Sequence, residues 1–302
     1  MLSFDAYDIR DYRPDDAAAL FVVAAAIEAL DAGQLVAWTE ELEGRVESGA
    51  RVWLLARGRR LAGYAIVEPL PGLPGVYDLS GGVVPARRRR GLGGRLLAHA
   101  VEQTAPLGAR ELSARVEGLE DEAAVFLLRR GFTMEHEECL LELADLSALP
   151  LVPDVPGVAF VTLPRQQAIA EFTRLYEQSF AGRPWSQPYS PTEVAATLAR
   201  ADDLLFATAD GQPVGVVWHE RLPDGRGRVE PIGIAAGHQG RGIGRALLLA
   251  ALHSLRRQGA APVEIGLWRT NDVAMHLYKG LGFSEVANWY YLARELAPPR
   301  RA

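Results

Sequence analysis

Cysteine and lysine are almost missing from this chain. Cys139 is the only cysteine, which excludes an intramolecular disulfide and a cysteine-rich metal site. Lys279 is the only lysine among 32 basic residues, so the basic side chains are arginines, a bias read as genomic rather than functional. Positive charge is not in excess either. The formal net charge of −6 gives no overall field toward nucleic acid or an anionic membrane. The N-terminal apolar stretch Ala17–Ala26 is too short to span a bilayer, and Asp5, Asp8 and Asp11 stand where a basic leader would be. These absences imply a cytoplasmic protein with no membrane partner. There is also no Gly-Lys-Ser/Thr, and no Gly-x-Gly-x-x-Gly opening a βαβ unit at the start of either half, so P-loop and plain dinucleotide-binding readings fit poorly.

What is present is a globular make-up with an internal repeat. The 302 residues are 49% hydrophobic and 23% charged, enough for two domains that each bury a core. Arg88-Arg89-Arg90-Gly91-Leu92-Gly93-Gly94 and Gln239-Gly240-Arg241-Gly242-Ile243-Gly244-Arg245 stand 151 residues apart. Each follows an apolar extended run and opens a Leu/Ala-rich helix. Gly131-Phe132 and Gly282-Phe283 share the same offset. Turns at Arg57-Gly58-Arg59-Arg60 and Asp210-Gly211-Gln212 match with a shift of one or two residues. A repeat of this period is a duplicated domain, not a solenoid.

Between the copies runs Leu146-Ser147-Ala148-Leu149-Pro150-Leu151-Val152-Pro153-Asp154-Val155-Pro156, an extended, Pro-punctuated linker whose five Leu and Val residues suit packing along a surface. The expected layout is therefore an N-terminal domain over 1–145, a linker over 146–157 and a C-terminal domain over 158–302. Each domain alternates strands and helices, antiparallel strands first and a strand–loop–helix unit after them. That alternation predicts a mixed α/β sheet in each half. In the second half the expected strands cover Val158–Leu163, Leu204–Ala209, Val214–His219, Arg228–Ala235, Val263–Trp268 and Phe283–Leu292.

The glycine loops suggest chemistry. Consecutive N–H groups at a helix start are unpaired and point one way, so they attract phosphate oxygens, and glycine lets the backbone approach closely. In the second half the loop is followed, about thirty residues on, by Asn271, Ala274, Tyr278, Gly282 and Phe283 in the spacing Asn-x-x-Ala-x-x-x-Tyr-x-x-x-Gly-Phe. A strand, then [Arg/Gln]-x-x-Gly-x-Gly, then this second motif resembles the GNAT superfamily of acyl-CoA-dependent N-acetyltransferases. The resemblance covers nearly the whole chain, once per half, and implies two tandem GNAT domains using acetyl-CoA as cosubstrate without a metal.

The resemblance also implies roles. Gln239, Gly240, Arg241, Gly242, Ile243, Gly244 and Arg245 would hold the CoA pyrophosphate. Ile232, Gly233 and Ile234 would flank the pantetheine arm, and Asn271 belongs to the same cosubstrate set. Tyr278 falls where the family places its general acid; a phenol with a reference pKa of about 10 stays protonated at neutral pH. Glu230 is the best general-base candidate, because acids at this end of that strand often serve as base in the family. Simple alternation puts it with Ile232 and Ile234 on one strand face, and the sequence leaves open whether that is the acceptor face. His219 is a second base candidate, followed by Glu264 and Glu220. An acid expected two residues before Glu230 is replaced by Arg228. Acceptor recognition falls to Trp185, Tyr189, His219, Trp289 and Tyr290, aromatic and polar groups suited to a small amine or, equally, to a core or interface.

The first half keeps Val83, Arg88, Arg89, Arg90, Gly91, Leu92, Gly93 and Gly94 as possible cosubstrate contacts. Its catalytic positions are gone: Leu127 stands for Tyr278, Leu79 for Glu230 and Glu120 for Asn271. No second basic patch accompanies Arg87–Arg90 in sequence, which argues against a nucleic-acid partner. The expected activity is transfer of acetyl to a small-molecule amine in the second half. A CoA-binding module without transfer and a protein N-acetyltransferase are the alternatives, and the sequence leaves the oligomeric state open.

Overall fold

Strand β2 (Arg51–Arg57) carries five buried residues between two exposed arginines, the unbroken apolar run of a strand covered on both faces. The computed structural model describes residues 7–28, 32–180 and 187–296. The chain forms two units. One comprises residues 1–135 and 291–302, the other residues 136–290.

Unit 1 contains β1 (Asp8–Asp11), α1 (Ala17–Glu28), α2 (Ala32–Glu47), β2, β3 (Arg60–Pro69), β4 (Val76–Val83), α3 (Leu92–Thr104), β5 (Glu111–Val116), α4 (Glu122–Leu128) and the start of β6 (Thr133–Leu143). Its strands run β1-β2-β3-β4-β5, antiparallel except for a parallel β4–β5 pair, and the end of the chain's last strand follows β5. Leu20, Val23, Leu54, Tyr64 and Ile66 form the core under α1, and Leu55, Ala62, Val83 and Leu92 that under α3.

Unit 2 contains the rest of β6, β7 (Val158–Val161), α5 (Arg165–Phe180), α6 (Pro191–Thr197), β8 (Leu204–Ala209), β9 (Gln212–Arg221), β10 (Gly227–Ile234), α7 (Ile243–Arg257), β11 (Val263–Trp268), α8 (Asp272–Lys279) and most of β12 (Ser284–Glu295). The order is β12-β6-β11-β10-β9-β8-β7. Helix α7 buries Leu247, Leu248, Ala251, Leu252 and Leu255, whose three-to-four-residue spacing gives one apolar stripe against Val217, Val229 and Ile265. On the opposite face, α5 and α6 bury Phe172, Leu175, Tyr176 and Val194 against Phe206, Val216 and Trp218. Each buried Leu or Phe contributes roughly 1.5–3 kcal/mol, so the sheet is fixed from both sides.

The mixed α/β sheet expected in each half is observed, with strand and helix bounds close to those read from sequence. One feature was not expected. Unit 2 draws β6 from before the linker, and unit 1 takes the end of β12 from the chain's last residues. The repeat boundary at 146–157 concerns duplication, whereas the units divide at 135/136 and 290/291. Among the described residues no helix is long and apolar enough to cross a membrane, and no group of three or more His, Cys, Asp or Glu is placed to hold a metal ion.

Candidate functional site

The two parallel strands at the centre of unit 2 soon part. β10 pairs with β11 only at Gly227↔Val263 and Arg228↔Glu264. From Val229 to Ile234 the side of β10 toward β11 has no ladder partner, while its other side remains bonded to β9. Unpaired backbone donors and acceptors along such an opening suit an extended polar ligand, which completes the ladder.

Glu230 sits at the mouth of this opening because β10 bulges. The β10–β9 register shifts between Val229 and Ile232, and a bulge re-aims the side chains that follow. Val229, Ile232 and Ile234 consequently all pack in the core beneath α7. Gly233 faces α5, where an added Cβ would lie 2.9 Å from Ser179 Oγ. Simple alternation would put Glu230 with Ile232 and Ile234. Instead the bulge turns it to the α5 face, where its carboxylate lies against Gly266; a Cβ at Gly266 would meet Glu230 Oε2 at 2.9 Å. Glu230 keeps accessible surface yet is closely surrounded by protein, as befits a group on a groove floor. That surrounding protein and the neighbouring Glu138 carboxylate push its pKa up, against the pull of Arg228 and of the Gly266 backbone.

Tyr278 approaches from the opposite layer. Asn271 caps α8, its side chain accepting from Ala274 N at 3.3 Å. Phe283 N closes the far end on Tyr278 O at 3.1 Å, and the Tyr278 ring lies 5.9 Å from that of Phe283. The ring is buried, while its hydroxyl has no hydrogen-bond partner among the described residues. Burial first, then the Glu230 charge, push the phenol well above its ordinary value, so it stays protonated throughout the physiological range.

The loop after β10 is held by the Gln239 side chain, whose Nε2 donates to Ile234 O at 2.9 Å. Gly242 caps α7 in the left-handed region (φ 80°), and Gly240 is also left-handed (φ 73°). The first backbone bond into the helix is Ala246 N to Gly242 O, which leaves the N–H groups of Ile243, Gly244 and Arg245 without backbone partners. Added Cβ atoms at Gly240 and Gly242 would meet nothing within 4 Å. The loop is thus an open set of aligned donors, chemically matched to a pyrophosphate.

The expected acceptor residues divide between the two faces. Tyr189 packs on Phe172 and Tyr176, with ring centroids 5.4 and 4.8 Å away. Burial and the nearby Tyr176 and Glu230 push its phenol up to about 12. Trp289 Nε1 donates to Glu138 Oε2 at 3.1 Å, and Glu138 is the carboxylate whose charge acts on Glu230. His219 is opposite Val229, on the α7 side, and only 2% exposed. Burial pulls its pKa down to about 4, so it is neutral and sealed from substrate. Tyr290 hydroxyl accepts from Asn288, which also reaches Glu137, on the face away from Trp289. Glu264 is held by Arg226 at 2.6 Å and Arg228 at 3.0 Å, and Glu220 pairs with Arg228 at 3.7 Å. Trp185 lies outside the described residues.

Glu138, Trp268, Phe180 and Gly266 were not expected from sequence. Glu138 lies opposite Trp268 in the β6–β11 ladder, and Trp268 stands edge-on to Phe180 at 6.1 Å. β6 is rich in acids, but its position before the linker assigns it by sequence to the wrong unit.

Unit 1 repeats the frame with different side chains. β4 and β5 pair only at Val76↔Glu111, Tyr77↔Leu112 and Asp78↔Ser113, so the same opening exists. Arg88 Nε donates to Val83 O at 3.0 Å, the counterpart of the Gln239–Ile234 bond. Where unit 2 has left-handed Gly240, unit 1 has left-handed Arg89 (φ 60°), and the Arg88 and Arg89 guanidinium groups are both taken by Glu122 at 3.2 and 2.8 Å. β4 pairs with β3 without a register shift, and Leu79 lies opposite Val67 as Val229 lies opposite His219. Leu79 thus matches Val229, not Glu230 as the sequence offset suggests, and Ser80 stands at the Glu230 register with neither the bulge nor a carboxylate. Leu127 is buried in the place of Tyr278. The N-cap position that Asn271 holds in α8 is taken in α4 by Asp121, one residue later than the sequence offset places it, and the Asp121 side chain makes no capping bond.

The Acetyltransferase (GNAT) family matches residues 15–132 and 169–283. A mycothiol acetyltransferase of Thermomonospora curvata is 32% identical over 238 residues, covering 75% of this chain and 76% of that protein. A mycothiol acetyltransferase of a Nocardioides species is 31% identical, covering 91% and 95%. Among solved structures, a GCN5-related N-acetyltransferase from Sphaerobacter thermophilus superposes with a TM-score of 0.74 at 22% identity, over 97% of both chains. A tandem GNAT protein of the clavulanic acid biosynthesis pathway superposes with a TM-score of 0.68 at 21% identity, over 97% and 99%.

Proposed function

The chain belongs to the acetyltransferase (GNAT) family, and starting from that N-acetyltransferase identity we propose that its second repeat moves acetyl from acetyl-CoA to a primary amine of a small molecule. One observation carries the choice of half: Glu230 and Tyr278 flank one opening from opposite layers in unit 2, whereas in unit 1 Leu127 replaces the tyrosine and Ser80 stands at the Glu230 register. The donor loop fits acetyl-CoA. Ile243, Gly244 and Arg245 would bind the pyrophosphate through backbone N–H groups, and Ile232–Ile234 would bond the pantetheine amides along the free side of β10. Bound there, acetyl-CoA supplies an acetyl group activated as a thioester.

The rest belongs to the chain. An amine attacks only when neutral, and the Glu230 carboxylate takes its proton, directly or through a water on the groove floor. Tyr278 Oη holds a proton for the departing sulfur. Backbone N–H groups at the end of β10 stabilise negative charge on the acetyl oxygen. Tyr189, Trp268 and Trp289, with Glu138 between the two tryptophans, offer an aromatic surface of negative potential to a cationic amine. The relatives' name, mycothiol acetyltransferase, supports a small-molecule acceptor over a protein one. Arg228, tied up by Glu264 and Glu220, leaves Glu230 as the acid of this strand.

Purified chain incubated with acetyl-CoA and a panel of small amines and N-terminal peptides tests the reading, with thiol release and acetylated product both measured. Acetylation of small amines is the expected result. Tight acetyl-CoA binding with no product from any amine would sink it in favour of a CoA-binding module. Product confined to peptides would favour protein N-acetylation.

A glycine pair separates the halves. Gly242→Ala and Gly91→Ala each place a Cβ in the left-handed region and cost about 1–2 kcal/mol of stability. Only Gly242→Ala is expected to raise KM for acetyl-CoA, and steady-state kinetics on both variants checks this.

A further inference from the structure

Unit 1 holds a second basic surface that the sequence does not reveal. The β2–β3 hairpin and the residues just after β4 meet at one end of the unit, since Val84 N bonds Ala62 O at 2.9 Å. There Arg57, Arg59, Arg60 and Arg87 line an open cavity of about 810 Å3 together with Tyr7, Val22, Val23 and Leu61. Among the described residues no carboxylate lines it. None of the four guanidinium groups makes an ion pair or hydrogen bond with any described residue, whereas Arg88 and Arg89 of the adjoining loop are both engaged by Glu122. The nearest acid in strand register, Asp8 opposite Ala56, pairs with none of them.

The duplicated half shows that the fold does not require this. Its matching hairpin has Asp210, Gly211, Gln212 and Pro213, and His238 occupies the place of Arg87. In unit 2 Arg174 of α5 also covers that edge, its Nη2 donating to Pro213 O at 2.9 Å. In unit 1 the corresponding helix presents Val22, 65% exposed, and leaves the cavity open. Four guanidinium groups without a partner among the described residues, set around an apolar wall, make a local positive surface that an anion can share. Arginine's planar fork binds phosphate oxygens two at a time, and the volume lies within the range of small-molecule sites.

We propose that this cavity binds a phosphorylated small molecule through Arg57, Arg59, Arg60 and Arg87, with its organic body against Tyr7, Val22 and Leu61. The phosphate comes either from a free nucleotide-like anion or from the 3′-phosphate end of a CoA molecule seated on the unit 1 loop. The site is independent of acetyl transfer in unit 2.

The test is calorimetric titration of the full chain with sodium triphosphate and with ADP at low salt, repeated on an Arg57→Ala/Arg60→Ala/Arg87→Ala variant. Arg57 and Arg60 are exposed, and an unchanged melting temperature of the variant shows that it folds. Saturable binding that weakens at least about tenfold in the variant, the equivalent of one charge-assisted hydrogen bond, is the expected result. Competition by CoA but not by dephospho-CoA assigns the phosphate to CoA; binding indifferent to both assigns it to a free anion. No binding at millimolar triphosphate or ADP, or equal binding by the variant, overturns the proposal.

Discussion

Tyr278→Phe is expected to lower turnover with an accepted amine at least about tenfold, a cautious floor for the loss of a general acid. KM for acetyl-CoA should stay nearly the same, because the pyrophosphate would be held by backbone N–H groups of Gln239–Arg245 and not by the phenol. Stability should barely change. The Tyr278 hydroxyl has no hydrogen-bond partner among the described residues, and phenylalanine keeps the ring contact with Phe283. The tyrosine's raised pKa means that its proton is held to high pH, so no alkaline limb below about pH 10 should come from this residue. Its contribution to stability is fully present below the ordinary phenol value and is lost only as pH rises through the higher folded one, outside any working range. Kinetics and thermal melts on one variant separate the roles. Unchanged turnover with a lowered melting temperature would make Tyr278 a packing residue.

The parts of the site that sequence reveals are the parts built locally. The loop from Gln239 to Arg245 and the helix from Asn271 to Phe283 are each one contiguous stretch, so their glycines, cap and ring contact are written in order along the chain. Glu230 is visible as a residue but not as a direction. Its face depends on a bulge between Val229 and Ile232, and period-two reasoning cannot see an extra residue in a ladder whose partner strand lies elsewhere. Glu138 is invisible for a stronger reason. It reaches Glu230 only because β6, which precedes the linker, pairs with β11, and no local pattern encodes which strand completes which unit. His219 shows the opposite error: a histidine at a strand end looks like a base until its burial is known. The arginines at 57, 59, 60 and 87 look like two solvated turns until the hairpin is folded against the end of β4.

Glu230→Gln is the variant with the most distinctive signature, because the feature that suits Glu230 for catalysis also costs stability. A base must be deprotonated to act, so turnover of the natural chain should rise with pH through the raised Glu230 value, above the ordinary carboxylate range. Burial raises that value first, Glu138 and Glu264 add to it, and Arg228 and the Gly266 backbone lower it. Tyr278 and Tyr189 feel the same charge in return. Glutamine keeps the shape and cannot take a proton. Turnover should drop by about a hundredfold or more, the lower end of the general-base range, and the acid limb should disappear. Stability should move the other way. A carboxyl whose folded pKa is raised stabilises the fold fully only below its unfolded value, and that contribution is lost as pH climbs through the folded one. The glutamine variant does not lose it, so its melting temperature relative to the natural chain should increase across that window and level off above it. A pH series of melts beside a pH–rate profile measures both. An acid limb that survives in Glu230→Gln would assign the proton transfer to another group, and Glu138, the carboxylate whose charge acts most strongly on Glu230, would be the first to replace.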